Sequence, residues 1–266
     1  DISRFGDYAS MAFTNARVRE NYSRRFSIRY PNEELTAARP FLTTPVYERQ
    51  KAAGAQFGAT AGLETPLWFA PEGLRDDFSW RRSTDFQYVA AECSAVREGV
   101  GLTDISGFAK YSIYGQGARD WLDKILAAKI PPKGRMTLAP MLKEDGKVIG
   151  DFSLSNINGR RFLIIGSGAA ESYHMRWLLD HLPDDGSVDL VSLNLELVGL
   201  SLAGPKSRSV LQACTAHDIS HGAMKFMSVR EIDIGMVPAI VGRVSFTGDL
   251  GSVSYTHLRA HETFGY

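Results

Sequence analysis

Along the chain the spacing of apolar and polar positions changes character several times. In residues 1–43, Tyr8, Phe13, Tyr22, Phe26 and Tyr30 are interleaved with Arg17, Arg19, Arg24, Arg25 and Arg29, and Pro31 and Pro40 follow with little periodicity. This predicts a helix and then an extended strap lying on a neighbouring domain, because each aromatic ring buries a large area. Residues 44–81 are rich in Gly, Pro and Thr around Leu67-Trp68-Phe69, which predicts loops and short strands. Thr84-Asp85-Phe86-Gln87 reads as a capping box, and Phe86, Val89, Ala90, Cys93 and Val96 then share one helical face that Gly99 closes. Cys93 is therefore expected in the core.

From Phe108 onward, strands alternate with helices. Strands are predicted at 108–114, 135–141, 147–155, 160–166, 195–202, 227–233 and 236–246. Helices are predicted at 117–128, with Trp121, Leu122, Ile125 and Leu126 inward and Pro131-Pro132 as the stop, at 168–181, and briefly after Pro205. Glu144-Asp145-Gly146 is a hairpin signal, so antiparallel pairing is expected. The pattern fits an α+β fold, with mixed or antiparallel sheet layers and packed helices, rather than a doubly wound parallel sheet.

At 266 residues the chain is long enough for one large domain or one domain with an appendage. Its 30 basic and 30 acidic side chains cancel, so no global field draws in nucleic acid or an anionic membrane, and neither is expected as a partner. Cys93 and Cys214 cannot make a disulfide framework, and nothing resembles a secretory signal. A reducing compartment is expected, cytoplasmic, or the mitochondrial matrix in a eukaryote. No apolar run approaches the ~20 residues of a membrane-spanning helix. The opening Asp1-Ile2-Ser3 lacks an initiator Met, which suggests a piece of something longer.

Three groups are candidates for chemistry. Gly166-Ser167-Gly168 lies between a strand and a helix where backbone amides can cradle phosphate, but Glu171 stands where a dinucleotide fingerprint needs its third glycine. A tight turn is the expectation. Cys214, His217 and His221 have spacing suited to zinc without an evident fourth ligand, so polar helix-end residues are expected and no metal. Asp151 lies inside Val148-Ile149-Gly150-Asp151-Phe152-Ser153-Leu154, an alternating strand in which aspartate is disfavoured. Alternation puts Val148, Gly150, Phe152 and Leu154 on one face, and Ile149, Asp151 and Ser153 on the other, which is either a cleft wall or open solvent. Gly150 leaves room for a ligand's close approach.

Four stretches, in order, resemble one family: Gly99-Val100-Gly101-Leu102-Thr103-Asp104-Ile105-Ser106, Gly146-Lys147-Val148-Ile149-Gly150-Asp151, Leu202-Ala203-Gly204-Pro205-Lys206-Ser207-Arg208 and Arg243-Val244-Ser245-Phe246-Thr247-Gly248-Asp249-Leu250-Gly251. They are similar to the folate-binding aminomethyltransferase domain of the glycine-cleavage T-protein, and more closely to the carboxy-terminal half of dimethylglycine and sarcosine dehydrogenases. Upstream, Arg25-Phe26-Ser27-Ile28-Arg29-Tyr30-Pro31-Asn32-Glu33 and Arg39-Pro40-Phe41-Leu42-Thr43-Thr44-Pro45 resemble the connector after the flavin domain of those dehydrogenases. A stand-alone transferase has no such segment.

The resemblance implies that residues 1–43 are that connector and 44–251 an incomplete folate-binding domain. It also implies an upstream domain holding FAD, where an N-methyl amine is oxidised. Tetrahydrofolate would capture the one-carbon unit, released as an iminium or formaldehyde, to give methylenetetrahydrofolate. Asp151 matches the acidic residue near the folate's anilinic nitrogen, Leu163 and Ile165 match apolar positions lining the pterin cleft, and Phe246 stands where many relatives carry a stacking Tyr. After Gly251 the family continues with an aromatic residue and a pterin-holding glutamate, but here Ser252-Val253-Ser254-Tyr255 follows. Residues 252–266 resemble vector read-through and are expected to stand outside the fold. The alternative is a non-catalytic relative acting through partner binding, since the regulatory subunit of pyruvate dehydrogenase phosphatase resembles these dehydrogenases.

Overall fold

The computed structural model describes residues 10–74, 76–245 and 250–257. The chain divides into two compact units, one up to Glu92 and one from Cys93.

The first unit opens with helix α1 (Met11–Ser23), capped where Ser10 Oγ accepts from the Phe13 amide. A strap without regular structure follows, then the short α2 (Tyr47–Ala52) and a hairpin of β1 (Ala55–Thr60) and β2 (Leu63–Phe69). The helix, strap and short strands match the sequence pattern. Arg39 ties the strap to the hairpin: its Nε and Nη2 donate to the two carboxylate oxygens of the buried Glu64, at 2.8 and 2.6 Å.

Helix α3 (Phe86–Glu98) begins and ends near its predicted limits, yet it buries no residue fully, and Cys93 is exposed rather than in the core. The capping box also fails. Thr84 Oγ1 is occupied with the Asp77 amide, at 3.1 Å, and Val89 N–H takes the Asp85 carbonyl.

In the second unit, β3 (Gly101–Asp104) precedes β4 (Ala109–Tyr114), α4 (Ala118–Ile125), β5 (Arg135–Leu142), β6 (Val148–Asn156) and β7 (Arg161–Gly166). A single 3-10 turn at Gly168–Ala170 leads into α5 (Glu171–Asp180), then β8 (Asp189–Ser192), β9 (Leu197–Ala203), α6 (Ser207–Ala213), β10 (Val229–Ile234), β11 (Val237–Gly242) and β12 (Gly251–His257). One five-stranded sheet has the order β5-β6-β7-β4-β8 and the other β10-β11-β12-β9-β3, every neighbouring pair antiparallel. The turn between β5 and β6 is the predicted one, with Gly146 at φ 81°, a conformation that glycine adopts without steric cost.

Residues 252–257, expected outside the fold, instead form β12 between β9 and β11. The alternation Val253, Tyr255 against Ser252, Ser254 suits a strand, and Tyr255 joins an apolar core. Residues 258–266 lie outside the described residues.

The layers follow from which faces are apolar. Trp121, Leu122 and Ile125 of α4 and Leu178 of α5 cover the outer face of the β5–β8 sheet against Tyr111, Ile113, Leu154, Phe162 and Ile164. Between the two sheets lie Leu163 and Ile165 with Leu197, Val229, Ile240 and Tyr255. Leu211 of α6 joins Ile232, Ala239 and Val241 beyond. This is the α+β layering that the pattern predicted.

Candidate functional site

The inner face of the β5–β8 sheet is a lattice that the strand registers define. Leu138, Ser153, Ile165 and Lys110 form one row across β5, β6, β7 and β4, and Met136, Ser155, Leu163 and Ser112 form the next. Asp151 stands a row earlier, opposite Pro140 and about 7 Å along the strand from Ser153. Pairing of β6 with β7 starts only at Ser153, so Asp151 occupies a stretch of β6 that outruns its neighbour. Its side chain is exposed. That position explains how an aspartate is tolerated in a strand: its charge meets water on the open side of the row.

Ser153, Ser155, Leu163 and Ile165 on this sheet, with Met136 and residues of the facing sheet including Val229, Ile240 and Tyr255, line a narrow slot of about 50 Å³. Leu163 and Ile165 are 2% and 8% exposed and also belong to the core between the sheets. They are thus both packing residues and slot walls. Phe246 lies outside the described residues. Ser245, beside the slot residue Val244, has a buried hydroxyl oxygen with no partner among the described residues.

An apolar slot edged with serine hydroxyls, with the Asp151 carboxylate one row beyond Ser153 on the same sheet face, suits a flat heteroaromatic ring with a polar tail. The volume is far below the ~300 to 1,000 Å³ typical of ligand sites. Met136 is one of its walls, with Sδ 3.3 Å from where a β-carbon on Gly242 would sit, and an unbranched thioether is among the side chains that repack most readily.

Strand β6 does not alternate simply. Met141 pairs with Gly150 but Leu142 with Val148, so Ile149 is an extra, unpaired residue. Such a bulge changes the direction of the side chains around it. Ile149 and Gly150 are both buried, whereas Val148 and Asp151 are both exposed. The expected sharing of a face by Ile149 and Asp151 is therefore corrected. Nor is Gly150 open to a ligand: a β-carbon there would meet the Phe152 ring at 2.5 Å and His174 Nε2 at 2.8 Å. The glycine makes room for the protein's own side chains.

Lys110 is fully buried, and its Nζ donates to the carbonyl oxygens of Ser106 (2.7 Å), Phe108 (2.8 Å) and Asn194 (2.9 Å). Burial pushes its ammonium down to about 8, against the pull of Glu171 and Asp104. Burial likewise raises the Tyr111 and Tyr255 hydroxyls well above their ordinary range. Gly168 presses on the preceding loop, a β-carbon there falling 1.8 Å from the Gly107 carbonyl oxygen, which fits a tight turn rather than a phosphate cradle. Cys214 is exposed, His221 Nδ1 faces Arg243 Nη1 at 3.1 Å, and His217 lies 3.8 Å from Asp233. Among the described residues no group of three or more His, Cys, Asp or Glu is arranged to hold a metal.

Residues 46–255 match the family model described as the GCVT N-terminal domain. The chain belongs to that family. Residues 1–44 of this GCVT protein match a second model, the FAD dependent oxidoreductase central domain. Human mitochondrial dimethylglycine dehydrogenase is 32% identical over 254 residues, covering 94% of this chain and 29% of that protein. The mitochondrial regulatory subunit of mouse pyruvate dehydrogenase phosphatase is 26% identical, over 96% of this chain and 30% of that protein. The chain thus spans about 30% of the length of these relatives. The crystal structure of glycine cleavage system aminomethyltransferase T from Bartonella henselae superposes with a TM-score of 0.67 at 22% identity, covering 81% of this chain and 53% of that one. The GCVT fold is thereby shared, as the four motif stretches implied.

Sequence reasoning missed two features of this GCVT domain. The bulge at Ile149 left a signal only in the adjacency of Ile149 and Gly150 before Asp151, where strict alternation was assumed. Lys110 left one too: a lysine inside the apolar strand 109–114 demands buried acceptors.

Proposed function

We propose that this chain is the folate-binding part of a flavin-dependent N-methyl-amine dehydrogenase, with dimethylglycine or sarcosine as the class of amine. It places a one-carbon unit, received as an iminium or formaldehyde, on tetrahydrofolate to give methylenetetrahydrofolate. The observation that carries the reading is the exposed Asp151 carboxylate on the same sheet face as the slot walls Leu163 and Ile165, one row from Ser153. Tetrahydrofolate, when bound, supplies the nucleophilic nitrogen. Asp151 stabilises positive charge developing beside it and takes or directs a proton, a role worth about two to four powers of ten in rate. Leu163 and Ile165 offer the pterin a flat apolar wall, and Phe246 provides a ring for stacking. FAD belongs to the domain upstream, in cis. The compartment is a reducing one, cytoplasmic or the mitochondrial matrix; among the described residues no helix is long and apolar enough to cross a membrane.

The narrowness of the slot, about 50 Å³, favours one second reading: a relative without catalysis that acts by binding a partner, as the name of the phosphatase regulatory subunit indicates for that protein. Tetrahydrofolate titration of this chain by calorimetry separates the two. Saturable binding that Leu163→Asp abolishes supports the first reading, and no binding at millimolar ligand supports the second. In the full polypeptide, Asp151→Asn is expected to cut methylenetetrahydrofolate formation at least about a hundredfold while amine oxidation stays near normal. Equal loss in both half-reactions contradicts the role given to Asp151.

A further inference from the structure

His174, on α5, is 3% exposed and lies outside the slot. Its Nε2 is 3.2 Å from the carbonyl oxygen of Ile149, the bulged residue of β6, and its Nδ1 is buried without a partner among the described residues. The imidazole meets the edge of the Phe152 ring, centroids 4.8 Å apart at 69°. Phe152 in turn fills a trough that only glycines allow, since a β-carbon at Gly150 or at Gly166 would come within 2.5 Å of its ring. Residues 149, 150 and 152, the neighbours of Asp151 on β6, are therefore all held from one side of the sheet by a single buried histidine.

A histidine is a costly choice for a core position, because its second ring nitrogen goes unsatisfied where an apolar residue would leave nothing unpaired. What it adds is one donor aimed at the carbonyl of the bulged residue. We propose that His174 is a positioning residue for Asp151: by donating from Nε2 to the Ile149 carbonyl and backing the Phe152 ring, it fixes the stretch of β6 around Asp151 that β7 does not pair, and so holds the direction of that carboxylate. Burial holds the imidazole below its ordinary pKa, which keeps it neutral, with the carbonyl selecting the Nε2–H tautomer. This inference rests on the reading of Asp151 as a ligand-facing group and adds the residue that orients it.

The test compares His174→Phe, which keeps a ring and loses the donor, with His174→Gln, which keeps a donor near the Nε2 position, and with Asp151→Asn. Two quantities are read on the present chain: amide hydrogen exchange at Gly150 and Asp151, and affinity for tetrahydrofolate. His174→Phe is expected to speed exchange at both amides and to weaken tetrahydrofolate about tenfold, one hydrogen bond's worth, with His174→Gln restoring both. Unchanged exchange in His174→Phe overturns the inference, as does unchanged affinity when Asp151→Asn has lost it. If exchange quickens but Asp151→Asn binds like the parent, the reading of Asp151 falls while the clamp on the bulge stands. Should His174→Phe not fold, the ring nitrogen NMR spectrum of the unaltered chain decides, a proton found on Nδ1 rather than Nε2 being fatal to the Ile149 bond.

Discussion

Replacing Lys110 with methionine pits two large effects against each other. The ammonium makes hydrogen bonds to three carbonyls, on the loop before β4 and on the turn before β9, and bonds to a charged group contribute roughly 1.5 to 3 kcal/mol each. Against that stands the burial of the charge. A fall from 10.5 to about 8 corresponds to a penalty of about 3 kcal/mol at 1.36 kcal/mol per unit. Methionine removes the penalty and fills similar volume, but it leaves the Ser106 carbonyl, the most enclosed of the three, without a donor. The three bonds outweigh the penalty, so Lys110→Met is expected to destabilise the second unit by about 3 kcal/mol. Urea unfolding followed by Trp121 fluorescence measures it, because that indole is buried in the same unit. A variant as stable as the parent would refute the reasoning, showing that desolvation of the charge cancels all that its hydrogen bonds contribute.

The same lysine sets a pH dependence. Its folded value, about 8, lies below the ordinary 10.5, so between these values the unfolded chain binds more protons and stability rises with pH. The parent is expected to gain up to about 3 kcal/mol across that window relative to Lys110→Met, and parallel stability curves for the two proteins would exclude it. Gly166→Ala drives a β-carbon to within 2.5 Å of the Phe152 ring; a loss of about 2 kcal/mol by thermal unfolding is expected for such overpacking, and Phe152→Leu in the same chain should recover part of it. In the first unit, Glu64→Gln breaks a buried two-pronged pair with Arg39. A loss of about 3 kcal/mol is expected, read as early protease cleavage in the 39–64 region, and an unchanged cleavage pattern would contradict it.

How much of this was legible depended on the scale of each signal. The β5–β6 hairpin was readable because Asp145-Gly146 supplies local turn chemistry between two long apolar runs. The inward face of α4 was equally readable, since Trp121, Leu122 and Ile125 recur at helical spacing. Cys93 misled, because periodicity identifies an apolar face without showing whether anything covers it. The four-residue strands β3 and β8 are too short to establish a period. At the site, Asp151 was singled out from its own chemistry, but the bulge at Ile149 and the contact that His174 makes with it, from 23 residues beyond Asp151, were not. Pairings made across that distance leave no local trace.

The order of strands carries a consequence for how the molecule is assembled on the ribosome. β12 is translated after β9, β10 and β11, yet it lies between β9 and β11 in the finished sheet. Until it emerges, the β10–β11 hairpin and the β9–β3 pair each present a bare edge, and such edges recruit strands from other molecules. Nascent chains of this domain therefore pass through an interval of vulnerability that lasts until β12 slides home. A holding chaperone would be most useful during that interval.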